Sequence, residues 1–172
     1  MGYMIQQVLG NQLLLQGIHK TIISLITQVE VSSDDPDLIH PSKPIGDFYN
    51  EETAKERVAS YGWVMKEDAG RGWRRLVPSP HPIRVVELGA IKLCIQAGMI
   101  PIAVGGGGIP VVKKGNILQG VDGVIDKDLA SSLLARELGA DVFIISTAVD
   151  HVSVGFNTPN QRTLHHITTS EL

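Results

Sequence analysis

Apolar residues near the start of the chain recur at helical spacing: Met4, Ile5, Val8, Leu9 and Leu13. That spacing predicts a helix over Met1–Gly17, with Gly17 as its stop. The pattern then changes. Between Thr21 and Glu30 the run Ile22-Ile23-Ser24-Leu25-Ile26 is β-branched and almost continuously apolar, as in a strand buried on both faces. Periodicity lapses over Ser32–Pro44, which is rich in Ser, Asp and Pro and reads as an irregular excursion. Asn50 is a good N-cap for a short helix ending near Tyr61, and Glu51 and Glu52 in its first turn complement the dipole. Two extended pieces follow, Trp63–Lys66 and Trp73–Val77, before Pro78, Pro80 and Pro82 close the segment.

Helical spacing returns over Arg84–Ala97, where Val85, Leu88, Ile91 and Ile95 share one face. Ile100–Val104 reads as a buried strand running into Gly105-Gly106-Gly107-Gly108. Pro110–Gly120 predicts a hairpin turning at Lys114-Gly115-Asn116. Lys127–Leu138 reads as a helix stopped by Gly139, and Val142–Thr147 as another buried strand. Alternating strands and helices predict an α/β protein, a three-layer α/β/α sandwich with a mainly parallel sheet. Residues 1–31 and 83–172 form its core, and residues 32–82 a small inserted subdomain.

Composition narrows the functions this fold could serve. The 172 residues are 43% hydrophobic with a formal net charge of -3, an ordinary globular balance that excludes a disordered chain. It also argues against nucleic-acid binding, which needs a clustered basic surface. Arg71, Arg74 and Arg75 do cluster, but Glu67 and Asp68 precede them. The single cysteine, Cys94, reads as a small buried hydrophobe and permits no internal disulfide. The most apolar stretch, Leu93 to Val112, is interrupted by Pro101, Pro110 and four glycines, so it does not read as a membrane span. No leader-like segment is visible at the start, and cytoplasm is the expected compartment.

Three segments could carry chemistry. The four glycines follow a strand directly and so lie at its carboxyl end, where open α/β sheets bind ligands. Backbone free of side chains can present several N–H groups to an anion; the alternative is a flexible loop. Ile109-Pro110-Val111-Val112 follows instead of a helix, so the run is not a dinucleotide fingerprint. In Val124-Ile125-Asp126-Lys127-Asp128, Asp126 or its neighbour caps the helix, and Lys127 then sits in the first turn. The dipole disfavours a cation there, so Asp128 or a bound phosphate should offset it. In Pro41-Ser42-Lys43-Pro44, two prolines stiffen the backbone around Lys43. Taken singly, each lysine fits an ordinary solvated side chain.

Together and in this order, these segments closely resemble the carbamate kinases of the amino acid kinase family. The resemblance extends over Thr27-Gln28-Val29-Glu30-Val31, Lys43-Pro44-Ile45-Gly46, Lys66-Glu67-Asp68-Ala69-Gly70-Arg71-Gly72, Pro78-Ser79-Pro80, Gly105 to Pro110 and Val124 to Ser131. The Lys43 and Gly70 segments separate it from acetylglutamate, aspartate and uridylate kinases.

The resemblance implies that residues 32–82 are a lid. It implies reversible transfer between ATP plus carbamate and ADP plus carbamoyl phosphate, in arginine or purine-derivative breakdown. Mg²⁺ would be held mainly by the nucleotide, and the chain would be a homodimer. Lys43 would reach from the lid to the transferring phosphoryl group, and Lys127 would contact that group or the nucleotide phosphates. Asp128 would hold the lysines in register, and Gly105, Gly106, Gly107 and Gly108 would offer backbone N–H groups. Thr147, Ala148 and Val152 would line the nucleotide pocket. No phosphoenzyme is expected, because phosphoryl transfer needs positioning and charge neutralisation more than a protein nucleophile. No protein metal site is expected either, and His165-His166 read as solvated.

Enzymes of this kind also carry an opening strand with a Gly-Gly-Asn loop and a late Gly-Ser-Met-Gly-Pro-Lys segment. Neither occurs in these residues, so part of the phosphate site is expected to be absent. Ala148 stands where such enzymes usually carry an aspartate. The alternative reading is therefore a truncated, non-catalytic relative that binds a ligand or partner only.

Overall fold

The computed structural model describes residues 1–156 and 158–171. They form two compact units, Met1–Asp141 and Val142–Leu172. In the first unit the chain runs through α1 (Gly2–Leu15), β1 (Ile22–Ser24) and β2 (Gln28–Val31). It continues through β3 (Lys43–Tyr49), α2 (Glu51–Tyr61), β4 (Val64–Glu67), β5 (Trp73–Val77) and β6 (Pro82–Val85). Then come α3 (Leu88–Gln96), β7 (Ile100–Ile102), β8 (Ile109–Lys114), β9 (Ile117–Gly120) and α4 (Lys127–Leu138). The second unit holds a hairpin of β10 (Val152–Val154) and β11 (Arg162–Leu164). No helix among the described residues is long and apolar enough to cross a membrane.

The fold is α/β. Its central sheet has the order β6-β2-β8-β9, with β2 and β8 parallel and the outer strands antiparallel. A second parallel pair joins β1 to β7. Val29, Val31, Val85, Ile91, Val104, Val112, Ile125, Ala130 and Leu133 make the core between sheet and helices. Each large side chain fully buried there contributes about 1.5–3 kcal/mol over an exposed one.

Four expectations of secondary structure change. The strand foreseen over Thr21–Glu30 is two strands in two sheets. The break lies at Leu25–Thr27, where the Thr27 hydroxyl donates to Leu25 O at 3.0 Å and the chain steps across from β7 to β8. Ile26 is 81% exposed at this step, so the run is not buried on both faces. Lys43 lies in a strand rather than an irregular excursion, because β5 supplies a ladder: Lys43 pairs with Val77 and Ile45 with Arg75. The helix foreseen from Arg84 starts only at Leu88. Pro82–Val85 is an edge strand opposite β2, Val29 facing Val85, a place where proline is tolerated. Val142–Thr147 is irregular, and Val142 and Ile144 are exposed. An apolar run becomes a strand only where a neighbour offers backbone partners, and none of the described strands pairs with it.

Other elements follow their local signals. Asn50 Oδ1 accepts from Thr53 N at 2.8 Å to start α2. Lys114 and Ile117 close the foreseen hairpin. Gly139 ends α4 with a left-handed φ of 68°. Cys94 departs from its expectation, being half-buried on α3 rather than buried. On α1, Met4, Ile5 and Val8 are exposed while Leu9 and Leu13 are half-buried, and no residue of that helix is fully buried.

Sheet β3-β5-β4 and α2 lie within residues 43–77. Aliphatic burial there is slight, and aromatic rings gather arginines instead. The Arg57 guanidinium lies 5.4 Å from the Tyr61 ring and 5.8 Å from Trp63, and Arg75 lies 4.5 Å from Trp63. Such contacts add about 0.5–1 kcal/mol each at exposed sites.

Candidate functional site

The site begins at the amino end of α4. Asp126 is extended and caps the helix, one carboxylate oxygen accepting from Asp128 N at 2.8 Å and Leu129 N at 3.2 Å. Its other oxygen accepts from Lys43 Nζ at 2.7 Å. Lys43 comes from β3, 83 residues earlier in the chain. Lys127 Nζ reaches both oxygens of Asp128 at 3.0 Å. The helix start thus gathers two lysines and two carboxylates in alternating pairs. The hydrogen bond from Lys43 holds the Asp126 carboxyl below the usual aspartate range, against partial burial and with help from the amides of Leu129 and Asp128.

Of the residues singled out from sequence, Lys127 and Asp128 pair with each other, and Lys43 forms a separate pair at the same helix start. Asp128 faces Lys127 only, and the partner of Lys43 is Asp126, which had been recognised as no more than a possible cap.

The glycine run abuts this helix start. Gly105–Gly107 form a single tight turn, and Gly107 N donates to Val104 O at 2.8 Å. A Cβ on Gly107 would stand 2.2 Å from Ile125 O, and one on Gly108 would stand 2.6 Å from Val29 Cγ2. These two glycines are thus required by close packing between the loop and its neighbours. Gly105 and Gly106 face open space. Val104 enters the turn at φ 46°, an unusual conformation for a β-branched residue.

Buried Thr27 supports that conformation: Val104 N donates to its hydroxyl at 3.0 Å, and Ile109 N donates to its carbonyl at 2.9 Å. Thr27 was missed as a site residue. Its signal was a single hydroxyl at the end of an apolar run. Ser24, Leu25, Thr27, Gly105 and Gly108 line a cleft of about 310 Å³ beside the turn.

Thr147, Ala148 and Val152 belong to the second unit. Thr147 Oγ1 donates to Val149 O at 2.8 Å. Val152 opens β10 opposite Leu164. All three are exposed.

The chain matches the amino acid kinase family over residues 48–172. The carbamate kinase of Pyrococcus furiosus is 47% identical over 171 residues, which is 99% of this chain and 54% of that protein. This chain therefore spans about half the length of the curated relatives it matches. A crystal structure from Aeropyrum pernix K1 superposes with a TM-score of 0.83 at 40% identity, covering 99% of this chain and 55% of the other. The carbamate kinase of Giardia lamblia bound to AMP-PNP superposes with a TM-score of 0.76 at 40% identity, covering 95% and 52%. With more than half of its residues in that match, and its fold shared with these structures, the chain belongs to the amino acid kinase family.

Proposed function

We propose that this chain carries the carbamate kinase reaction, passing a phosphoryl group reversibly between ATP and carbamate. The observation that carries this reading is that Lys43 and Lys127 each pair with a carboxylate of the first residues of α4 or its cap, beside the glycine turn. Two ammonium groups at a helix amino end suit a group that bears negative charge on three oxygens through its transfer. In this reading Lys43 approaches the transferring group from the lid, residues 32–82, and Lys127 approaches it from the core. Within the Gly105–Gly108 run, Gly105 and Gly106 face open space and leave room for the anion. Preorganised charge of this kind lowers the barrier without a covalent intermediate.

The AMP-PNP bound to the Giardia relative supports a nucleotide as donor, with Thr147, Ala148 and Val152 on its side. Asp126 and Asp128 each already face a lysine. That favours a Mg²⁺ ion carried by the nucleotide phosphates over one held by the protein. The working form in this reading is a cytoplasmic homodimer, and the uncovered apolar positions of α1 favour self-association.

The test is ATP formation from ADP and carbamoyl phosphate by the purified 172-residue chain. A rate above background supports the reading, and Lys127→Ala should lower it by about 10²–10³-fold with an unchanged circular dichroism spectrum. No rate above background overturns activity for this chain and leaves ligand binding as its role. Full turnover by Lys127→Ala overturns the part given to that lysine.

A further inference from the structure

Lys43 is delivered to α4 by a closed circuit of contacts. It pairs with Val77 across the β3–β5 ladder. The next residue, Pro78, accepts from Val124 N at 2.8 Å through its carbonyl. Val124 lies two residues before Asp126. The two chain crossings between lid and core are also joined: Asp37 accepts from Ser79 N, and Asp35 accepts from His81 N at 2.9 Å. Backbone contacts therefore fix where the Lys43 side chain starts. Its end is fixed by one group, Asp126.

That carboxylate cannot swing aside freely, because its other oxygen is held by two helix amides. The second lysine does not compete for it, since both oxygens of Asp128 occupy Lys127. Lys43 and Asp126 are both partly shielded, with 26% and 34% of their side chains exposed.

We infer that Asp126 is a positioning residue: its carboxylate, clamped by the start of α4, holds Lys43 at the place where a phosphoryl group would meet it. The inference rests on the reading of Lys43 as a phosphoryl contact, but its geometry can be tested without turnover. An approaching phosphate takes over an ammonium group already aimed at the helix start, so no long flexible side chain has to be ordered during transfer.

Capping and charge make opposite predictions. Asn caps a helix about as well as Asp, whereas Glu is not a favoured cap. Asn cannot bind an ammonium as a carboxylate does, whereas Glu can. The experiment is acylation of the intact 172-residue protein by acetic anhydride, with the label at Lys43 read by mass spectrometry of its peptides and normalised to Lys55. For Asp126→Asn we expect Lys43 to react roughly three- to tenfold faster, as for loss of a charge-assisted hydrogen bond in a half-shielded pair. Asp126→Glu should return toward the wild-type rate, and Lys127 should be unaffected in both variants. Wild-type protection retained in Asp126→Asn, or Asp126→Glu reacting faster than Asp126→Asn, overturns the inference. The same variants should lose ATP formation in the same order. If the labelling order holds while the wild type forms no ATP, the kinase reading fails and the positioning role stands.

Discussion

Replacing the glycines of the turn one at a time should separate conformational strain from steric overlap. The structure ranks three positions. Gly105 has neither a positive φ nor an atom within 4 Å of a Cβ, so Gly105→Ala should change stability by less than about 0.5 kcal/mol. Gly106 has φ 72° and open space. Alanine there meets strain alone, about 1–2 kcal/mol. Gly107 has φ 114°, and a Cβ would sit 2.2 Å from Ile125 O, about 1.2 Å inside ordinary contact.

Backbone strain at Gly107 costs about 1–3 kcal/mol, and the overlap adds to it because the opposing atom is backbone in the core. Ile125 is 1% exposed and cannot retreat without moving Asp126 and the start of α4. The expected loss for Gly107→Ala is about 3 kcal/mol or more, or roughly 6–12 °C in Tm for a chain of this size. Urea and thermal unfolding followed by circular dichroism would measure the series. Equal stability of Gly105→Ala and Gly107→Ala would refute the packing argument. A large loss at Gly106 with little at Gly107 would refute the division between strain and overlap.

Thr27→Val should cost about 1–3 kcal/mol by leaving the buried Val104 amide without its acceptor, and Thr27→Ser should restore most of it; a valine variant as stable as the wild type in urea would count against the role of the hydroxyl. Acid should act through Asp126, whose carboxyl is held low by Lys43. A depressed carboxyl contributes stability that is complete above the usual aspartate value of about 3.9 and is lost as pH falls through the depressed one. The urea midpoint of the wild type should therefore exceed that of Asp126→Asn by a constant amount at neutral pH, and the gap should close below about pH 4. Glu51, Asp68 and Glu171, which are also lowered, occur in both proteins, so a gap that persists to the acid limit would refute this assignment.

What could be read from the sequence followed the range of the interactions involved. Asp126 before an apolar helical run and Gly139 after it mark both ends of α4, because caps act within three or four residues. Asn50 marks α2 in the same way. Strand partners are a different matter. Lys43 becomes β3 because Val77 lies opposite it, and Pro82–Val85 becomes β6 because Val29 does. Proline-flanked segments look broken until an edge position is available to them. The lysines and glycines of the site were recognisable as types in order. The pairing of Lys43 with Asp126 spans 83 residues, and no local pattern announces it.

The aromatic packing around α2 and the β3-β5-β4 sheet makes that part of the chain separately visible in solution. Both tryptophans of the chain, Trp63 and Trp73, belong to it. Trp63 is sandwiched among Arg57, Arg75, Tyr49 and Tyr61, and Trp73 lines the groove beneath α2 with Ala54, Val58 and Met65. Tryptophan emission therefore reports on this part of the chain alone, while far-ultraviolet circular dichroism is dominated by the helices and sheet of the rest. Recording both through one denaturant titration would show, with no label introduced, whether this part and the rest of the chain melt as one body or as two.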